Sequence, residues 1–549
     1  MRVSCWLWNS KGLASVSRPS QTVSPDAAVR TALVLTSLLV LAVPVVGLAT
    51  GIPLLLLVVL AGIAYLGYLV TSDQLVVGVG TAFFVLLTFN ANVPLVRIPD
   101  VEHASVFLLD PVLLVGAIIG IYWYWQSSRR IPVLGRVAIG ALFLFAGWSV
   151  VAAFFGNGPS QLVALLFSLE QLRFALVLTV ATLYVMHTDP RCAIYPLLVS
   201  VGGHVCFAFV QAVNGRPFGL SYLGEGAQDV IGQVTIGPVL YQAGQHTGGF
   251  VGQARVLTGI VILCTPILIV QVLELNRGTL LGVVGASVAG IVVLMSDTDA
   301  GSVAFVGTML VGAALLRGLY WRTAAGLERR ASEVTGATGV VTVLLREWDR
   351  VTTVGGDAVA AISGFVSGIM GFQTPFSGSV DESTGSSGDT TTAVSNGVSD
   401  NSGAVSQGGL VDTSTLGIRL RQYEAAVDIA LRNPLFGIGG SNFSIVGSAY
   451  GIPQSMSIHN VFLAYLAATG FPGLFLFLIS LGAVFALTIG QSVHQTTEQR
   501  LLAIGLLMGI TGYLAYAFWT TMHDSTVAMA TFWAVCGVAI GMGTVESNS

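Results

Sequence analysis

Residues 471–490 read FPGLFLFLISLGAVFALTIG, a run without one charged side chain. About 20 such residues, rising roughly 1.5 Å each, match the ~30 Å hydrocarbon thickness of a bilayer, so the segment is expected to be a membrane-spanning helix. Runs of the same kind recur in both directions. Downstream they fall at about 501–519 and 525–543. Upstream they fall at about 31–49, 51–70, 75–93, 106–125, 137–155, 164–187, 193–213, 254–274, 279–295 and 301–318. The composition agrees: of 549 residues 54% are hydrophobic and 9% charged, against about 25% charged in soluble domains, and the mean hydropathy is +0.81. A soluble multidomain protein is excluded, and one all-α polytopic membrane domain is the expected fold class.

Arginine, which supplies all but Lys11 of the 23 basic residues, sets the expected orientation. Arg18 and Arg30, Arg129, Arg130 and Arg136, Arg191, Arg277, the group from Arg317 to Arg330, and Arg500 fall on one side, which the positive-inside rule makes cytoplasmic. Alternation then requires one more crossing before residue 472, and the weakly apolar stretch 352–376 is the choice. The competing reading lays 336–345 or 352–376 on the surface. The result is about 12–14 transmembrane helices in a plasma-membrane protein with both termini cytoplasmic: a tail at 1–30, helices with an external loop 214–253 through 31–376, an external linker at 377–415, and a final unit at 416–549. The first apolar run is too long for a cleaved signal and is followed at once by another. A net charge of −4 gives no nucleic-acid surface, and the five cysteines lie too far apart for a metal site or a disulfide framework.

Two external segments interrupt the short loops. The first, 214–253, is rich in glycine and holds Arg216 and His246. The second contains 377–415, built of Ser, Thr, Gly, Asn and Asp without a basic residue, which cannot bury enough surface to fold. Order resumes with TLGIRLRQYEAAVDIALRNPLFGIGG at 415–440, whose helical period ends at Pro434. On a 100° wheel Leu420, Tyr423, Val427, Ala430 and Leu431 form the expected apolar stripe. Arg421, Glu424, Asp428 and Arg432 cluster opposite, spaced for i,i+3 and i,i+4 pairing. Arg419, at the border of the stripe, is aimed at the protein or a ligand, or else snorkels at the membrane surface.

Next comes SMSIHNVFLAYLAATGFPGLFLFL at 455–478. Ser457 is expected to cap a short helix that starts near His459 and ends at Gly470, with Pro472 opening the span that follows. A helix N-terminus disfavours imidazolium, so His459 is expected neutral near pH 7, either as a general base or merely as a hydrogen-bonded residue.

His459-Asn460, nine residues, then Gly470-Phe-Pro-Gly473 resembles the signature of the O-antigen ligase and Wzy-type O-antigen polymerase superfamily. Arg419 with Tyr423, followed by NPLFGIGGSNF at 433–443, is similar to the family's Arg-x-x-x-aromatic helix and the glycine turn behind it, where Pro434, Gly437, Gly439, Asn442, Gly470 and Gly473 are the structural positions. GGFVGQARVLTG at 248–259 resembles the family's lead-in to a membrane helix, with Arg255 where Asn is usual. SDTDAG at 296–301 stands where a Ser-Arg pair is expected.

The resemblance implies a membrane-embedded, GT-C-like glycosyltransferase that uses no cofactor and no metal. Its donor would be a polyprenyl- or dolichyl-(di)phosphate-linked glycan at the outer face, its acceptor a glycan, lipid or protein, and its setting the membrane lipids. His459 would activate the acceptor hydroxyl. Arg419, Asn460, Arg216, Arg255 and His246 are the candidate substrate-binding residues, because a lipid phosphate leaving group needs a cationic clamp. Asp297-Thr-Asp299 has the spacing of a divalent-ion pair, but its place in the family pattern explains it better. Ligase and polymerase stay open, as do a transporter or flippase, suggested by Glu170, Arg173 and Asp110 inside or beside apolar segments, and a non-catalytic assembly partner. Glu170 and Arg173, at i,i+3, are expected to neutralise one another.

Overall fold

The apolar runs become helices because lipid offers no partner for backbone N–H and C=O groups, and only a helix satisfies them within one segment. The computed structural model describes residues 75–96, 104–214 except 128, parts of 218–225, 248–274, 299–323, 415–452 and 456–546 except 496, with isolated residues near 289 and 335. Twelve α-helices follow in chain order: α1 Leu75–Leu86, α2 Leu109–Gln126, α3 Val133–Phe155, α4 Gln161–His187, α5 Arg191–Asn214, α6 Ala254–Glu274, α7 Asp299–Thr323, α8 Thr415–Arg432, α9 Phe443–Val446, α10 Val461–His494, α11 Thr497–Ala517 and α12 Thr526–Met542. Six of them, α3, α4, α5, α6, α10 and α11, are long and apolar enough to cross a membrane, and α1, α7 and α12 contain shorter apolar stretches. The chain is an all-α polytopic membrane protein. The expected spans at 31–70, most of 279–295 and the stretch 352–376, like the linker 377–415, lie outside the described residues.

Two short antiparallel ladders were not anticipated: β1 Asn92–Val96 pairs with β2 Ala104–Phe107, and β3 Arg129–Arg130 pairs with β4 Val545–Glu546. The first takes the residues just ahead of α2, so that helix starts at Leu109 rather than at 106.

Helix α10 packs along α3, α12 along α4, and α11 along α6. Their common core is aromatic. Phe145, Tyr465, Phe477 and Trp533 are all essentially inaccessible and meet edge-on or tilted with centroids 4.7–5.9 Å apart, the spacing at which ring quadrupoles attract. The bundle has two distinct ends. At one, Arg129 donates to the carbonyl of Met186, and β4 lies beside Arg130. At the other, the turn after α8 meets the start of α4, where Asn442 and Ser160 exchange hydrogen bonds.

Candidate active site

The turn after α8 is folded by its glycines. Gly437 and Gly470 hold φ of 61° and 69°, the left-handed region a side chain disfavours. A Cβ on Gly437 would sit 2.2 Å from the Ala467 carbonyl oxygen, and one on Gly470 would sit 2.5 Å from that of Leu435. The two segments therefore close on each other, with Ile438 N–H donating to Ala467 and Phe471 N–H to Pro434, both at 2.9 Å. Gly439 and Gly473 are close-packed against Ala164 and Thr469. The break at Gly470 frees the Thr469 carbonyl, and the indole N–H of Trp148 takes it at 2.9 Å. Asn442, fully buried, donates to Ser160 and Ile438 and accepts from Ser160, so its sequon-like sequence is structural.

The cap of α10 is Asn460 rather than the expected Ser457. Its Oδ1 accepts from the N–H groups of Phe462 and Leu463 at 2.9 and 3.0 Å, so this oxygen of a candidate substrate-binding residue serves the helix. His459 stands one residue ahead of the cap. Its carbonyl accepts from the Tyr423 hydroxyl at 3.1 Å. Gln422, on the same helix, faces its backbone N–H and ring Nδ1. Burial pushes the imidazole down to about 4, with the positive charges of Arg419 and then Arg255 adding to the effect while Asp524 opposes it. A neutral ring at pH 7 is thus what the site imposes, as its position at a helix N-terminus suggested.

Arg419 comes from α8 and Arg255 from the first turn of α6, yet both act on His459. Both are half-buried, and the Nε of Arg419 is sealed from solvent without a partner. Arg255 extends its own Nε to Gln253 at 2.6 Å, and its carbonyl accepts from Tyr516. Two further groups belong here that sequence reasoning passed over. His523 and Asp524 lie between α11 and α12, with Nε2 3.1 Å from the carboxylate and Nδ1 buried without a partner. Burial lowers the His523 pKa most strongly, and Asp524 partly restores it. An adjacent His-Asp pair, placed by alternation on the same side as His459, was the signal available. A small cleft is lined by Ile438, Ser441, Ser444, Ser457, His523 and Asp524 among others. Arg216, His246 and Asp297 lie outside the described residues.

The outward stripe of α8 differs from the wheel. Gln422, Ala425, Ala426, Ile429 and Ala430 are buried, while Leu420, Val427 and Leu431 are exposed. Beside a bilayer an apolar face need not turn inward, because lipid receives it. Arg432 pairs with Asp428 at 2.9 Å, and Arg421 meets the Gly451 carbonyl. Glu170 and Arg173 do not pair as expected either. Arg173 makes a two-pronged contact with Asp110 at 2.8 and 3.0 Å, whereas Glu170 accepts from Thr526 at 2.6 Å. Asp110 sits in the first turn of α2 and also accepts from the Phe107 N–H, which fixes it better than the carbonyl side of a helix could. With Arg173 satisfied in this way, the ionisable group that favoured a transporter is a structural clamp.

Helices of membrane-spanning length with a half-buried histidine and two half-buried arginines at one end of the bundle define a polytopic membrane protein with a polar cluster at that end. Residues 260–478 match the family described as O-antigen ligase, the family that the His459-Asn460 motif and the glycine turn resemble. The match takes in Arg419 and His459; Arg255 lies just before its start, and the His523-Asp524 pair well beyond its end. No curated protein matches the chain.

Proposed function

We propose that the chain transfers or polymerises a glycan carried on a polyprenyl phosphate, at the outer face of the membrane, for a cell-surface polysaccharide or glycoconjugate. The observation that carries this reading is the neutral His459 flanked by Arg419 and Arg255, which reach it from two helices distant in sequence. The chemistry follows from the groups present. The acceptor hydroxyl gives its proton to the imidazole as its oxygen attacks the anomeric carbon of the donor sugar. The bond from that carbon to the phosphate oxygen breaks, and the lipid phosphate leaves with the electron pair. Arginine is suited to the charge that grows there, since its planar fork binds phosphate bidentately. Burial keeps the base neutral and the same arginines add to that effect, so one pair of charges serves both halves of the reaction. His523 and Asp524 line the adjoining cleft, where an acceptor sugar would present its hydroxyls.

The test is transfer in proteoliposomes from a radiolabelled lipid-linked glycan. His459→Ala should insert normally and lose transfer. Full activity in that variant would overturn the assignment. Product length separates the two forms of the reaction: a single addition marks a ligase, a ladder a polymerase.

A further inference from the structure

Gln422 is completely buried, on a face of α8 otherwise made of Ala425, Ala426 and Ile429. Its Oε1 lies 3.2 Å from the backbone nitrogen of His459 and 2.9 Å from the ring Nδ1. A backbone N–H can only donate, so the carboxamide must turn its oxygen toward His459, and the usual ambiguity between amide oxygen and nitrogen disappears. That same oxygen faces Nδ1, which must therefore carry hydrogen. A neutral imidazole has only one N–H. The lone pair is left on Nε2.

We propose that Gln422 is a positioning residue that fixes the Nδ1–H tautomer of His459 and so presents Nε2 as the proton acceptor of glycosyl transfer. The inference rests on His459 being the base, and it adds which nitrogen acts and what selects it. The neighbouring Tyr423 holds the His459 carbonyl, so consecutive residues of one helix grip the backbone on both sides of the ring and the ring itself. The Nε2 amide of Gln422 is buried without a partner, a cost that native interiors rarely carry. An apolar side chain would fill the same face without that cost, so packing does not account for glutamine here. The other charged or titratable groups around the ring are Arg419 and Tyr423 from α8, Arg255 from α6, and His523 and Asp524 from the loop before α12. None of them has a hydrogen bond to Nδ1 among the described contacts.

Reconstituted protein with 15N-labelled histidine tests this directly, with the His459 signal assigned by its absence from His459→Ala. The expected ring signal is the Nδ1–H form; an Nε2–H form would overturn the inference even if transfer proves to need His459. Gln422→Met should reduce kcat roughly 10- to 100-fold, part of the 10²–10⁴ that a general base supplies, with the donor KM within about twofold. Gln422→Glu keeps an acceptor on Nδ1, so it should retain far more activity than the methionine variant, and its carboxylate should move the acid limb of the pH profile upward. A methionine variant with wild-type kcat and pH profile would refute the role. If neither variant accumulates, the wild-type ring signal decides alone. An Nδ1–H ring in a protein whose His459→Ala variant is fully active would retire the proposed base and leave the Gln422 contact as a structural one.

Discussion

Two histidines of this protein, His204 fully buried and His459 half-buried, sit in opposite circumstances. His204, on α5, has both ring nitrogens engaged, with Nε2 2.9 Å from the Thr88 hydroxyl and Nδ1 accepting from the Phe250 N–H at 3.4 Å. Around it Phe89 and Phe250 pack their rings, and nearby Glu225 accepts three hydrogen bonds, from Gln211, Phe218 and Leu220, at 2.6–2.7 Å. The His459 region is the reverse. Arg419 Nε, Gln422 Nε2 and His523 Nδ1 are buried there without partners. Native interiors satisfy nearly all such groups, so a cluster of unmet polar atoms marks a place arranged for something other than the chain itself. The first region is architecture, and the second is open chemistry.

Substitution can break that contrast, and the largest effect should come from the open region. His459→Ala should lower kcat by roughly 10²–10⁴ while thermal unfolding in detergent stays near wild type. Arg419→Gln should come next. A charge-assisted hydrogen bond to phosphate is worth about 1.5–3 kcal/mol, roughly 10- to 150-fold in kcat/KM. Because Arg419 holds the His459 imidazole down, its removal should also move the acid limb of the pH profile upward.

In the satisfied region Glu225→Ala should act on stability. It strands three donors, at about 1–3 kcal/mol for each that stays buried, and should lower the unfolding temperature without moving the pH profile of the activity that remains. The smallest effect should be that of Asp524→Asn. The carboxylate raises the His459 pKa, so its loss should carry the acid limb slightly lower. Stability follows the same sign. The folded ring titrates at about 4 and the unfolded ring near 6.5, so between those values the unfolded chain binds more protons. The contribution of His459 is therefore complete above pH 6.5 and is lost as pH falls through about 4.

The spans were legible from apolar runs alone because a bilayer demands a fixed length of them. The break at Gly470 was legible from local rules. What stayed hidden required knowing which surface meets lipid or which distant segment arrives. Leu420, Val427 and Leu431 look like a core stripe to a helical wheel, yet they are the exposed face. Arg173 sits three residues from Glu170 and pairs with Asp110 on another helix, since bundle packing offered a carboxylate of better geometry. Ser457 and Asn460 are both good caps, and the final start of α10 chose the second. His523-Asp524 was missed because its partners lie more than sixty residues away in sequence.

Gln211 touches both ends of the glycine-rich segment before α6. Its amide donates to Glu225 at 2.7 Å, and its oxygen accepts from the Gly249 N–H at 3.1 Å. One side chain thus acts as a clasp. Glu225 and Gly249 are thereby tied to one point of α5, and α6 begins shortly after the second of them. Two stretches of the chain, the lead-in to α6 among them, are therefore pinned to one side chain near the end of α5.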